Sequence, residues 1–252
     1  MNVIFLCSMP RAGNTVLGSI INQNKKIKAT PNSIMLDVLE ELNKLKEKST
    51  FKNFPDHKSL DNLIKSSFST YYKDWKAELI IDRGPWGTPG NLNNLKKVIK
   101  KPKFIILYRP VKECLASFAK ILKEDKKVNN VDEHLINLLN KETGILGKAL
   151  WSINNLIKNK ENYKIFYYKD LVNNPDLFLK NLSKYIKHDI KYNLKKLKQF
   201  NVNNICYDDS ETIKNLHKIK TTFKNFKPER VEDYLTNDMI KHVERFELNE
   251  LN

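Results

Sequence analysis

The residues best suited to chemistry lie at the start of the chain. The apolar run Val3-Ile4-Phe5-Leu6-Cys7 gives way to Ser8-Met9-Pro10-Arg11-Ala12-Gly13-Asn14-Thr15, and a helical pattern follows from Val16 to Ile21. A strand, a tight Pro/Gly turn and a helix start in that order form a phosphate cradle. Loop amides and the positive end of the helix dipole converge there on one anion. The nucleotide-hydrolase version of such a loop reads G-x-x-x-x-G-K-[ST]. On that spacing this chain has Ser8 at the first glycine, Gly13 at the second, Asn14 at the lysine and Thr15 at the metal-ligating hydroxyl. The cation sits inside the loop instead, at Arg11. A phosphate loop that lacks its lysine and has moved its charge is expected to hold an anion other than a nucleoside triphosphate with Mg²⁺.

A second constellation is Arg109 with Ser117, eight positions further on and beyond Pro110. That distance is a little over two helical turns, so the hydroxyl can face back toward a ligand held by the guanidinium. A bidentate Arg plus a hydroxyl suits a phosphate monoester dianion; each residue alone reads equally as a group facing water. Asp82, just past the run Leu79-Ile80-Ile81, is a candidate general base. It reads as well as a helix cap or as a partner for Arg83. Arginine is scarce: Arg11, Arg83, Arg109, Arg230 and Arg245 stand in a chain crowded with lysine. The planar guanidinium fork cannot be copied by lysine, so a geometric need is suspected where Arg is kept.

The elements that position these groups follow from periodicity. Residues 2–7, 78–81, 103–108 and 164–168 are short, nearly continuous apolar runs, as in strands buried on both faces of a parallel sheet. Helical spacing runs over Ile34 to Leu45, Leu60 to Tyr72, Val111 to Leu122 and, as one long stretch, Val131 to Ile157, with a last helix opening at Pro228-Glu229. Strands alternating with helices predict a single three-layer α/β domain over residues 1–252. Its central parallel sheet has about four or five strands flanked by helices, as in P-loop nucleotide hydrolases. In such a sheet ligands bind beyond the carboxyl ends of the strands. Ser8–Thr15, Asp82–Trp86, Tyr108–Pro110 and Tyr168–Asp170 all fall there.

Pro10-Arg11-Ala12-Gly13-Asn14-Thr15 resembles the P-[KR]-[SA]-G-[ST]-T loop of the sulfotransferase family, and the segment from Arg109-Pro110 to Ser117 resembles its R-[ND]-P…S motif, one residue short between Arg and Pro. The resemblance implies 3′-phosphoadenosine-5′-phosphosulfate as donor and adenosine 3′,5′-bisphosphate as product. Arg11, Ala12, Gly13, Asn14 and Thr15 would lie on the 5′ side, and Arg109 and Ser117 on the 3′-phosphate. Tyr167-Tyr168-Lys169-Asp170-Leu171 is similar to the family's Y-E-D-L segment, which puts Tyr168 near the adenine. Lys218, in the basic stretch from His217 to Lys224, corresponds to the basic loop that closes the donor site. Asp82-Arg83-Gly84 is similar to a D-K-[ST] segment. The implied reaction is in-line transfer of a sulfuryl group to a hydroxyl or amine, with Arg11 and the loop amides stabilising charge on the sulfuryl and bridging oxygens. The tyrosine-sulfating branch uses a Glu shortly after the first helix. The matching stretch here, Thr30-Pro31-Asn32-Ser33, has no carboxylate, which argues against that activity. His57 stands in a polar stretch with no evident partner.

Composition narrows the alternatives. The chain has 252 residues, 40% of them hydrophobic, which is enough for one sizeable core. Lys and Arg total 45 against 29 Asp and Glu, a formal charge of +16. The lysines are spread along the chain, as an A/T-biased coding sequence would give, and read mainly as a solvated surface that also steers anions. A nucleic-acid binder predicts a basic stripe with interleaved aromatics, and none is present. A P-loop kinase of small molecules remains the enzyme alternative, with Asn14 at the lysine position against it. Cys7, Cys114 and Cys206 fit neither a disulfide frame nor a metal knuckle. No leader pattern and no membrane-length apolar stretch is found. The expectation is a cytoplasmic enzyme with no metal and no membrane or specific nucleic-acid partner, acting on a small-molecule, saccharide or peptide acceptor.

Overall fold

The computed structural model describes residues 2–124, 130–208, 217, 219 and 229–248. Strand β1 (Asn2–Ser8) leads through the loop into helix α1 (Asn14–Ile21). Then come β2 (Ile27–Ala29), α2 (Met35–Lys44), α3 (Ser49–Asn53), α4 (His57–Tyr71), β3 (Leu79–Arg83), α5 (Pro89–Val98), β4 (Lys103–Tyr108) and α6 (Val111–Glu124). Helices α7 (Val131–Leu138) and α8 (Ile145–Lys158) precede β5 (Asn162–Tyr167), α9 (Tyr168–Asn173) and α10 (Pro175–Ile186). A hairpin of β6 (Asn201–Val202) and β7 (Ile205–Cys206) and helix α11 (Asn237–Glu244) follow.

Five strands form one parallel sheet in the order β2-β3-β1-β4-β5, flanked by helices in a three-layer α/β arrangement. From β1 the chain goes to the edge strand β2 and returns to β3 beside β1, then crosses to β4 and β5 on the other side. The carboxyl end of β1 is therefore the point where the winding reverses, the place where open α/β sheets bind their ligands. β1 is continuously apolar because it is central: Phe5 lies between Asp82 of β3 and Phe104 of β4. The Phe5 ring is fully buried and meets Trp86 at 5.0 Å, and Phe68 and Phe104 at 5.8 Å each.

The four expected strands are present, and two features differ from expectation. The three-residue edge strand β2 has too short an apolar run to stand out. The Val131–Ile157 stretch is two helices, because the chain folds back at residues 139–144. A Cβ on Gly144 would lie 2.4 Å from the Asn137 carbonyl oxygen, and one on Gly147 2.2 Å from that of Asn140. Only glycine permits so close a return. Pro228 lies outside the described residues. The last described helix opens at Asn237, where Thr236 Oγ1 caps the Met239 amide at 3.2 Å.

Candidate active site

The loop after β1 is fixed from both sides. The Met9 amide donates to the Leu107 carbonyl at 2.9 Å, tying the loop to β4. Asn14, at the position of the usual lysine, donates through Nδ2 to the Met9 carbonyl at 2.8 Å and so closes the loop on itself. Gly13 takes a left-handed conformation (φ 79°) that costs glycine little. A Cβ there would lie 3.3–3.4 Å from Leu171 and Tyr168. Arg11 is also left-handed (φ 64°), a strain of about 1–2 kcal/mol for a residue with a Cβ. The first amides of α1, which have no partner within the helix, face the loop.

Helix α6 supplies the other wall. Starting one residue after Pro110, it carries Glu113, Ser117 and Lys120 at i, i+4 and i+7, on one face. The Arg11 Nε donates to Ser117 Oγ at 3.2 Å, so the two walls meet. Arg109, 1% exposed, is the hub. Its Nη1 donates to the Arg11 carbonyl at 2.7 Å, its Nε to Glu113 Oε2 at 3.2 Å and its Nη2 to Glu229 Oε2 at 3.2 Å. Its guanidinium lies over the Tyr168 ring, 4.3 Å from the centroid. Lys120 Nζ is 3.6 Å from the other oxygen of Glu229.

The electrostatics follow from the buried Arg109 beside the half-buried Arg11. Burial and then the like charge of Arg109 depress the pKa of Arg11. Burial works against ionisation of Glu229, but its own backbone amide, Arg109 and Lys120 outweigh it and hold the carboxyl below the ordinary value. The Tyr168 hydroxyl is pushed up to about 12, mainly by burial. The arrangement is a closed cationic cradle beside a loop of amides.

Arg11, Ala12, Gly13, Asn14, Thr15, Arg109, Ser117 and Tyr168 are thus brought together, with Tyr168 wedged between Gly13 and Arg109. Lys218 lies outside the described residues. Its neighbours are anchored on Gln199: Gln199 Nε2 donates to the His217 carbonyl at 3.3 Å, and the Ile219 amide donates to Gln199 Oε1 at 3.2 Å. Asp82 is placed differently. It belongs to β3 and is fully buried. It accepts from the Tyr72 hydroxyl at 2.5 Å and from Trp86 Nε1 at 3.2 Å. Burial pushes its carboxyl up to about 6, with hydrogen bonds from Ser33, Tyr72 and Trp86 pulling partly back. So enclosed a carboxylate can take a proton from a substrate only after Tyr72 or Trp86 moves. Arg83 does not pair with it. Arg83 Nη1 donates to the Pro31 carbonyl at 2.7 Å, bracing the 30–33 loop. His57 is the exposed first residue of α4, edge-on to Phe51. Lys120, Glu113 and Glu229 complete the cluster without having been singled out. Lys120 and Glu113 had a sequence signal in their helical spacing from Ser117, and Glu229 had none.

A parallel sheet whose winding reverses beside a strand–loop–helix turn, with a buried arginine next to it, makes a three-layer α/β frame around a candidate anion site. The sequence matches the family model described as Sulfotransferase family over residues 3–191. The chain belongs to the sulfotransferase family and is a sulfotransferase enzyme. Its fold is similar to the sulfotransferase domain of the curacin biosynthetic pathway (TM-score 0.58, 15% identity, covering 97% of this chain and 96% of that one). It is similar also to the sulfotransferase domain of the Synechococcus PCC 7002 olefin synthase (0.54, 18%, covering 97% and 94%). Mouse sulfotransferase SULT7A1, solved in complex with PAP, is likewise similar (0.59, 14%, covering 97% and 82%). No curated protein matches by sequence. Among the described residues no helix is long and apolar enough to cross a membrane.

Proposed function

We propose that this enzyme takes its sulfuryl group from 3′-phosphoadenosine-5′-phosphosulfate and passes it to a hydroxyl or amine of a small-molecule, saccharide or peptide acceptor. One observation carries the reading: two arginines, a serine and a lysine converge beside the amide loop, and a carboxylate, that of Glu229, already sits among them. A site that seats a carboxylate oxygen on Arg109 suits a phosphate oxygen. The donor supplies an activated sulfuryl group and a good leaving phosphate.

The protein's part is to hold and to stabilise. Arg109, Ser117 and Lys120 hold the 3′-phosphate and so set the register of the nucleotide. Tyr168 walls the nucleoside, with Lys218 closing the site. Amides from Ala12 to Thr15 and Arg11 meet the charge that develops on the bridging and sulfuryl oxygens, where fixed donors are most effective. Asn14 closes the loop and offers no ammonium for a β- or γ-phosphate, which favours this donor over ATP. Asp82 serves as a buried brace between β3, α4 and the Trp86 turn, and not as the base that its position in the sequence suggests.

The test is a titration of adenosine 3′,5′-bisphosphate, adenosine 5′-monophosphate and ATP–Mg²⁺ by calorimetry. The bisphosphate should bind tightest. Arg109→Ala should weaken it by ~10–100-fold, with little change for the monophosphate, as for the loss of a charged hydrogen-bond pair. Tighter binding of ATP–Mg²⁺ would favour a kinase instead.

A further inference from the structure

Arg109 has almost no surface of its own. A phosphate can touch it only by replacing something that covers it. Among the described residues its partners are Glu113, Glu229, the Arg11 carbonyl and the Tyr168 ring. The Arg11 carbonyl belongs to the loop. The Tyr168 ring packs against Gly13. Glu113 holds the Nε edge from within the helix that Arg109 itself leads into. Glu229 differs from all three. It comes from a separate segment of the chain, 120 residues from Arg109 in sequence, and bridges Arg109 to Lys120. Its carboxylate lies within the field of both arginines.

We propose that Glu229 is the resident anion of the 3′-phosphate subsite: its carboxylate exchanges with the donor's 3′-phosphate on Arg109 and thereby sets how tightly 3′-phosphorylated nucleotides are held. The proposal rests on the donor reading above.

Charge balance supports the exchange. Among the described residues Arg11, Arg109 and Lys120 face Glu113 and Glu229, an excess of one positive charge. A phosphate dianion that displaces the Glu229 carboxylate from Arg109 replaces the negative charge that the guanidinium loses, while Lys120 keeps Glu229 paired. Without any anion the buried Arg109 and the half-buried Arg11 would repel one another in a medium that screens poorly. Glu229 therefore keeps the cradle formed while it is empty of nucleotide. The same contact makes the 3′-phosphate compete with an intramolecular ligand. Glu229 can retreat without leaving its setting, because Lys120 holds its second oxygen. The segment behind it is anchored separately: Val231 packs on the core, and Lys123 Nζ donates to the Tyr234 carbonyl at 3.2 Å. On product release the carboxylate returns to Arg109, which opposes the retention of a tightly bound bisphosphate.

The experiment compares wild type, Glu229→Gln and Glu229→Asp as full chains, by calorimetry with adenosine 3′,5′-bisphosphate and with adenosine 5′-monophosphate. Glutamine keeps the shape and removes the charge, so the bisphosphate should tighten on the order of tenfold while the monophosphate changes less than about twofold. Glu229→Asp draws the carboxylate back by one methylene and should tighten the bisphosphate by a smaller factor. It also carries the test should Glu229→Gln not fold. Unchanged or weaker bisphosphate binding in these variants, or equal changes for both nucleotides, overturns the proposal. Weaker binding would make Glu229 a positioning residue for Arg109. A wild-type protein that does not prefer the bisphosphate to the monophosphate defeats the donor reading, and this proposal with it. A wild-type preference that the variants leave unaltered defeats this proposal alone.

Discussion

Asp82→Asn separates a brace from a base, and the size of its effect follows from burial. The Asp82 carboxyl is fully enclosed and its pKa is pushed from about 3.8 to about 6. A displacement of that size corresponds to about 3 kcal/mol, at about 1.4 kcal/mol per tenfold change in proton affinity. The folded protein holds this proton more tightly than the unfolded chain does. The contribution is therefore fully present below about pH 4 and is lost as pH rises through about 6. Asparagine has no proton to lose, so other titrations being shared, the difference in stability between wild type and Asp82→Asn should move by about 2 kcal/mol against the wild type between pH 4 and pH 7. Urea denaturation at half-unit steps from pH 4 to pH 8 measures it. Parallel curves for the two proteins would refute the reasoning. The same variant tests chemistry: as a brace, its loss leaves turnover at pH 7.5 within about tenfold of wild type, whereas loss of a general base removes ~10²–10⁴.

Arg11→Ala should lower turnover ~10²–10³ while the far-ultraviolet circular dichroism is unchanged. Arg11→Gly should lose turnover equally yet unfold at higher urea than Arg11→Ala, by about 1 kcal/mol, because only glycine adopts the left-handed conformation without strain. Glu247→Ala removes a carboxylate that accepts from the Val111 and Lys112 amides at 3.1 Å each and from the Tyr108 hydroxyl at 2.6 Å. Thermal unfolding should report a loss of about 1–3 kcal/mol, as for a helix cap combined with a partly buried hydrogen bond. No loss would mean that the α6 amides find another acceptor.

The frame of this protein was legible because its strands are buried on both faces and so read as unbroken apolar runs. The anion loop was legible because its residues are consecutive. Two kinds of feature were not. One is the local feature with little composition to mark it. β2 is three residues long, and the break between α7 and α8 depends on glycines whose only sign is the absence of a side chain. The other is tertiary. Asp82 looks from its neighbours like the end of a strand. It lies inside the sheet because β3 continues to Arg83, and its partners Tyr72 and Trp86 come from flanking elements. Glu229 and Glu247 act on Arg109 and on the start of α6 from more than a hundred residues away, and no spacing rule reaches that far. Lys120 was accessible through its helical register with Ser117, but in so lysine-rich a chain it carried no contrast.

The central position of β1 has a consequence for biogenesis. β1 leaves the ribosome well before its two neighbours, at residues 79–83 and 103–108, and both pairings are parallel. It must therefore wait, unpaired and apolar, through about a hundred residues of synthesis, and sheets that close over such separations assemble slowly. The Met9 amide finds its acceptor only when Leu107 arrives. Nucleotide capture by nascent chains of increasing length should consequently switch on late and abruptly, well after the loop itself has been made.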